Sequence, residues 1–261
     1  MRLFSAPIAL SVLLTCCGGG PPPSAPRSLS PSPGYHPVTT GSPRYSPQRD
    51  RLGIVKAYIP HGRYGRRRVR RMDPRYITIH STQNFSRSGN AYAHAQMLRQ
   101  GRLKGPRNSL GYVCWHYTVD DHSIYQTLPD NEQGQHADYE GPGNRYSIGI
   151  EMCENRGNSR SRTLDRTAPL VAQLMHTHKI PLSRVVPHNH WRMIRYTDGR
   201  DLGHKNCPYF LLTNGRPGYK WRAFLGTVKS CYTSLRYIFG ISFPVRYTCL
   251  SSAVFFSDDH T

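Results

Sequence analysis

Four residues of this chain have types and local settings that could do chemistry together: His80, Glu151, His188 and Cys207. His80 closes the strand-like run Tyr76-Ile77-Thr78-Ile79-His80, and Glu151 closes another, Ser147-Ile148-Gly149-Ile150-Glu151. His188 lies in Val185-Val186-Pro187-His188-Asn189-His190-Trp191, and Cys207 in Lys205-Asn206-Cys207-Pro208. Two imidazoles and a thiolate form a zinc site with one position left for water. A carboxylate that is not itself a ligand is what such a site needs to take that water's proton. The set therefore reads as a hydrolytic centre. His190 competes with His188 as the second imidazole, and side-chain alternation does not separate them.

Lys205 stands two residues before Cys207. Pro208 disfavours helix at Cys207, so the segment reads as extended, which aims Lys205 and Cys207 the same way. The Lys205 ammonium is then expected to depress the Cys207 pKa and to stabilise an oxyanion at an attacked carbonyl.

The elements that must position these residues follow from periodicity. Strand-like runs fall at Arg75–His80, Val113–Val119, Ile124–Leu128, Ser147–Met152 and near Arg184–Pro187, with helical spacing at Ala91–Gln100, Thr167–Thr177 and Tyr219–Val228. Strands mixed with helices predict an α/β domain, one sheet covered by helices. On the first run Tyr76, Thr78 and His80 share a face opposite Ile77 and Ile79; on the fourth Gly149 and Glu151 lie opposite Ile148 and Ile150. Both strands can bury isoleucines and present His80 and Glu151 to a cleft, where Gly149 is expected to leave room for a ligand.

The ordered strings Ile79-His80-Ser81-Thr82, Trp115-His116-Tyr117-Thr118-Val119-Asp120-Asp121, Ser147-Ile148-Gly149-Ile150-Glu151 and Lys205-Asn206-Cys207-Pro208 resemble the zinc-dependent N-acetylmuramoyl-L-alanine amidases, relatives of the peptidoglycan recognition proteins. The likeness covers residues 73–230. It implies a single mixed central sheet of five to six strands flanked by helices, and it favours His188 over His190 as ligand. It implies Zn2+ held by His80, His188 and Cys207, Glu151 as base and Lys205 as a second catalytic group. His116 falls at a family position that lines the substrate pocket, with a packed strand residue as the alternative, and His136 resembles a family histidine before a glycine-rich loop, which implies a groove contact. Asn144 and Arg145, which lead into the Glu151 strand, are expected to order that loop and join them as candidate substrate-binding residues. The bond cut would be the amide between N-acetylmuramic acid and L-alanine, with peptidoglycan or muropeptides as partner. The alternative is a non-catalytic peptidoglycan-binding protein, against which the presence of Glu151, Lys205 and Cys207 weighs.

The 261 residues carry a formal charge of +20, and a chain of that length accommodates one domain of about 150 to 180 residues plus appendages. Arg63, Arg66, Arg67, Arg68, Arg70, Arg71 and Arg75 form the densest basic run, which suits an anionic cell-envelope polymer. No nucleic-acid-binding motif accompanies the run, so nucleic acid is not an expected partner. Met1-Arg2 followed by a largely apolar Leu3–Leu14 has the size of a signal-peptide core and is too short to span a bilayer. Leu13-Leu14-Thr15-Cys16 resembles a bacterial lipoprotein box, with Cys17 as the other acceptor, so export to the envelope is expected and any membrane contact would come through a lipid anchor. The predicted layout is signal 1–17, a Pro/Ser/Gly- and Arg-rich disordered tether 18–72, catalytic domain 73–230 and a tail 231–261 of unassigned role. Cys114 and Cys153 are expected as small core residues, with a bridge between them the other option; Cys231 and Cys249 could close a terminal loop. His94, His122, His176, His178 and His204 are expected at the surface.

Overall fold

A computed structural model describes residues 52–104, 111–195 and 197–240. Its main sheet has six strands: β1 (Ile54–Lys56), β2 (Tyr76–Ser81), β3 (Tyr117–Val119), β4 (Ile124–Gln126), β5 (Ser147–Met152) and β6 (Val185–Pro187). Their spatial order is β1-β4-β3-β5-β2-β6. Only β3 and β4 pair antiparallel; the other neighbours are parallel. The sheet is therefore mixed, as expected, and its central strands β2 and β5 are buried along almost their whole length.

The packing explains that burial. Ile77, Ile79, Ile148 and Ile150 are fully buried in one cluster with Leu170, Val171 and Leu174 of helix α3 (Arg160–His178) and Trp221, Phe224 and Val228 of helix α4 (Tyr219–Gly240). Each such side chain contributes about 1.5–3 kcal/mol by leaving water. A second cluster joins Leu98 of helix α1 (Ala91–Arg99) to Ile59, Cys114, Trp115 and Leu128. The short helix α2 (Pro142–Tyr146) leads directly into β5.

Helix ends follow capping chemistry. The Asn90 side chain accepts from Ala93 N–H at the start of α1, and Ser159 accepts from Arg162 N–H at the start of α3. The α3 helix begins earlier than its apolar periodicity suggests, because its first turns are polar, with Arg160, Arg162, Asp165 and Arg166. The Ser159 cap and the buried Thr163 hold those turns in place.

Two boundaries of the expected layout change. The tether was expected to run to residue 72, yet β1 pairs with β4 at the sheet edge, Ile59 is fully buried and Met72 lies in the main core. Arg66 contributes as well: its guanidinium donates twice to Glu132, at 2.7 Å each, and once to Ile59 O at 2.9 Å. Residues 52–72 thus belong to the domain. At the other end α4 continues beyond 230, with Cys231 and Leu235 buried in the core. The signal, the lipoprotein box, the rest of the tether, Cys249 and residues 241–261 lie outside the described residues. Cys114 and Cys153 are buried, unbridged thiols in core positions.

Candidate metal centre and its surroundings

His80 and Glu151 are register partners on the adjacent parallel strands β2 and β5. Both side chains leave the sheet on the face opposite the isoleucine core. The neighbour of β2 on its other side, β6, ends at Pro187 and delivers His188 at the start of a 3-10 turn, His188–His190. Cys207 arrives from a later loop, after the hairpin of β7 (Arg192–Ile194) and β8 (Asp201–His204). One donor atom from each of His80, His188 and Cys207 lies within 4.8 Å of the others, and all three residues are buried. His190 instead is exposed, with its ring edge-on to Trp191 at 4.7 Å between centroids. The structure thereby places His188, not its rival, at the centre.

Hydrogen bonds set each donor's orientation. His188 Nε2–H donates to Ala137 O at 2.8 Å, which leaves Nδ1 as the free lone pair. His188 Nδ1 sits 2.8 Å from His80 Nδ1. Cys207 Sγ accepts from Ser81 N–H at 3.3 Å, a bond that favours thiolate. Glu151 Oε1 is 3.9 Å from His80 Nδ1, while Oε2 is buried with no partner among the described residues. Converging nitrogen lone pairs and a thiol are unfavourable alone and match the donor set of a thiolate–imidazole metal site, with the unmatched Glu151 oxygen beside them.

Electrostatics point the same way. Burial, reinforced by Lys205, lowers His188 to about 4. Burial also holds His80 well below its ordinary value, followed by the fields of His188, His136 and Lys205. Both imidazoles are therefore neutral at pH 7, the form that can ligate a metal. Burial raises Glu151 to about 8, against a lowering by Lys205. Burial, then the Glu151 charge, pushes the Cys207 thiol up to about 12. The expected depression by Lys205 is present but smaller than these two. Without a cation the thiol keeps its proton.

Several expected placements change. Lys205 does not share an extended run with Cys207, because the chain turns between them: Cys207 N–H donates to Lys205 O at 2.9 Å. Lys205 is exposed, and its charge reaches His80, His188, Glu151 and Cys207. His116 is not a pocket residue. It is fully buried, donating from Nε2 to Glu132 O at 2.8 Å and accepting at Nδ1 from Gly149 N–H at 3.0 Å, so neither nitrogen is left for substrate. His136 is half-buried, with Nδ1 3.0 Å from His80 Nε2 and Nε2 3.3 Å from Ser147 O. Gly149 makes room for that ring and not for a ligand: a Cβ there would meet His136 ring atoms at 2.8 Å. Asn144 is buried and pins the preceding loop, its Oδ1 accepting from His136 N–H at 2.7 Å and Ala137 N–H at 2.8 Å. Arg145 is exposed.

Among the remaining histidines, His122, His176 and His204 are exposed as expected. His94 is not: it is buried on α1, with Nδ1 2.9 Å from Asn90 O. Its helical position places it on the buried face with Ala91, Ala95 and Leu98. His178 is half-buried beside Asp130 at 2.8 Å.

Asn189 carried no signal beyond its two histidine neighbours. Its backbone N–H donates to Cys207 O and its side-chain amide to Lys205 O, each at 2.9 Å, while its carbonyl meets His204 Nδ1 at 2.7 Å. It ties the hairpin's base, so that His188 and Cys207 are held together across the hairpin that separates them in sequence.

Comparison with known proteins agrees with this geometry. The family profile described as N-acetylmuramoyl-L-alanine amidase (Amidase_2) matches residues 70–210. N-acetylmuramoyl-L-alanine amidase CwlH of Bacillus subtilis (strain 168) is 38% identical over 164 residues, covering 62% of this chain and 56% of that protein. N-acetylmuramoyl-L-alanine amidase XlyA of the same organism is 43% identical over 141 residues, covering 54% of this chain and 44% of that protein. The chain thus spans about half the length of the curated relatives it matches. The solved catalytic domain of XlyA superposes with a TM-score of 0.54 at 38% identity, covering 66% of this chain and 97% of that domain. The PlyG catalytic domain superposes with a TM-score of 0.53 at 28% identity, covering 69% of this chain and 94% of that chain. The profile match covers more than half of the sequence, and the chain belongs to the N-acetylmuramoyl-L-alanine amidase family.

Proposed function

We propose that this protein hydrolyses the amide between N-acetylmuramic acid and L-alanine in bacterial peptidoglycan or its fragments, with zinc as cofactor. The carrying observation is the convergence of His80, His188 and Cys207 donors within 4.8 Å, beside the unpartnered Glu151 Oε2. Family membership supports the bond, and the softness of a thiolate–imidazole set supports zinc over magnesium or calcium. When bound, zinc supplies Lewis acidity that acidifies water and polarises the scissile carbonyl.

The protein groups do the rest. Glu151, lifted by its buried setting, takes a proton from water and hands it to the leaving L-alanine amine. The exposed Lys205 ammonium balances charge growing on the carbonyl oxygen. Arg145, exposed at the end of α2, is offered to carboxylates of the stem peptide. The exposed Arg63, Arg67, Arg68, Arg70 and Arg71 suit an anionic envelope polymer. The apolar run Leu3–Leu14 and the lipoprotein-type box at Cys16 support work in the envelope, with a lipid anchor as the membrane contact.

The full chain incubated with muropeptides, followed by mass spectrometry, tests this reading. Release of stem peptide beginning with L-alanine, abolished by a chelator and restored by zinc, is expected. Intact muropeptides and intact cell wall, despite one bound zinc per chain, would replace the enzyme with a peptidoglycan-binding protein.

A further inference from the structure

We infer that one dipeptide, His136-Ala137, held in place by Asn144, orients both histidine ligands of the metal centre. The inference rests on the metal reading above and adds positioning residues that touch neither metal nor substrate. Ser147 O can only accept, so its contact with His136 Nε2 at 3.3 Å requires the proton on that nitrogen. A neutral His136 then presents a lone pair at Nδ1, and His80 Nε2, 3.0 Å away, must be the donor. His80 is thereby left with its lone pair on Nδ1, the nitrogen that faces His188.

The second ligand is set by the next residue along. Ala137 O accepts from His188 Nε2–H at 2.8 Å and leaves His188 Nδ1 bare. Two adjacent residues thus choose the tautomers of two ligands that are 108 positions apart in sequence. Their own placement is fixed by one side chain, because Asn144 Oδ1 accepts from both of their backbone N–H groups. The His136 ring has little freedom, being packed against Gly149 on one side and Gly134 on another.

The test uses the full chain and zinc itself. In wild type stripped of metal, nitrogen-15 spectra of the imidazoles should show Nε2–H tautomers for His80, His136 and His188. Zinc affinity, measured by competition with a chromogenic chelator, should fall about 10- to 100-fold in His136→Leu. Affinity should largely return in His136→Asn, whose side-chain oxygen can accept from His80. Gly149→Ala, which displaces the ring without removing its nitrogens, should weaken zinc in the same direction. Thermal unfolding of each metal-free variant separates this from loss of fold. A variant of lowered melting temperature but wild-type zinc affinity, or a His80 carrying its proton on Nδ1, would overturn the positioning role while leaving the amidase reading intact. Failure of the wild-type chain to bind zinc would overturn both.

Discussion

His80 and Glu151 face one another across neighbouring strands: they are Cα register partners on β2 and β5, and their side chains approach to 3.9 Å. A parallel ladder holds that spacing through backbone hydrogen bonds, so the proposed ligand and the proposed base need no loop to bring them together. A one-residue slip of either strand would turn its functional side chain into the isoleucine core.

Because Glu151 is proposed as the base and not as a ligand, replacing it should separate chemistry from metal binding. Glu151→Gln is expected to keep one zinc per chain, read by elemental analysis. Its turnover of muropeptides should drop by at least about 100-fold, the scale of general acid–base catalysis. Loss of zinc together with activity would instead place Glu151 among the ligands.

Cys207 must lose a proton to bind a cation, since burial raises its thiol to about 12. Metal loading should therefore release about one proton per zinc at pH 7 and weaken as pH falls. Calorimetry in two buffers of different ionisation enthalpy measures that release. Cys207→Ser is expected to bind zinc far more weakly, and a chelator should lower the wild-type melting temperature, because the metal binds only the folded chain.

The N-terminal boundary is open to a direct trial. Chains beginning at residue 52 and at residue 73 differ by β1, the buried Ile59 and Met72 and the Arg66–Glu132 pair. The two apolar side chains alone contribute about 3–6 kcal/mol by area, against a usual total near 5–15 kcal/mol. The shorter chain should unfold at a much lower urea concentration or fail to fold, as followed by circular dichroism. Equal stability would return residues 52–72 to the tether.

His94 gives a pH dependence away from the metal. Burial lowers its folded pKa below 6.5, with the Asn90 backbone bond opposing. The sign follows from proton uptake: below pH 6.5 the unfolded chain binds a proton that the folded chain refuses, so its contribution to stability is lost as pH falls. Urea unfolding at pH 7.5 and pH 5 should show that loss, with a shallower pH slope in His94→Gln. An unchanged slope would mean that His94 protonates freely in the fold.

Local chemistry was enough to single out His80, Glu151 and Cys207. Strand alternation put Ile77, Ile79, Ile148 and Ile150 on one face and His80 and Glu151 on the other, because a period of two is a property of the extended backbone alone. The family likeness, carried by ordered motifs, chose His188 over His190. What the sequence could not decide is what depends on contacts between distant segments. The turn at Asn206 that breaks the Lys205–Cys207 alternation is closed by a backbone bond and anchored by Asn189. The family likeness makes His116 and His136 pocket candidates, with Asn144 beside them, yet each spends hydrogen bonds on protein groups that only tertiary packing brings near. Residues 52–72 read as a polar, arginine-rich tether because composition cannot see Ile59 buried in one cluster with Trp115 and Leu128 or Arg66 forked onto Glu132. Residue types and spacing named the chemistry; long-range hydrogen bonds and packing decided which neighbours serve it.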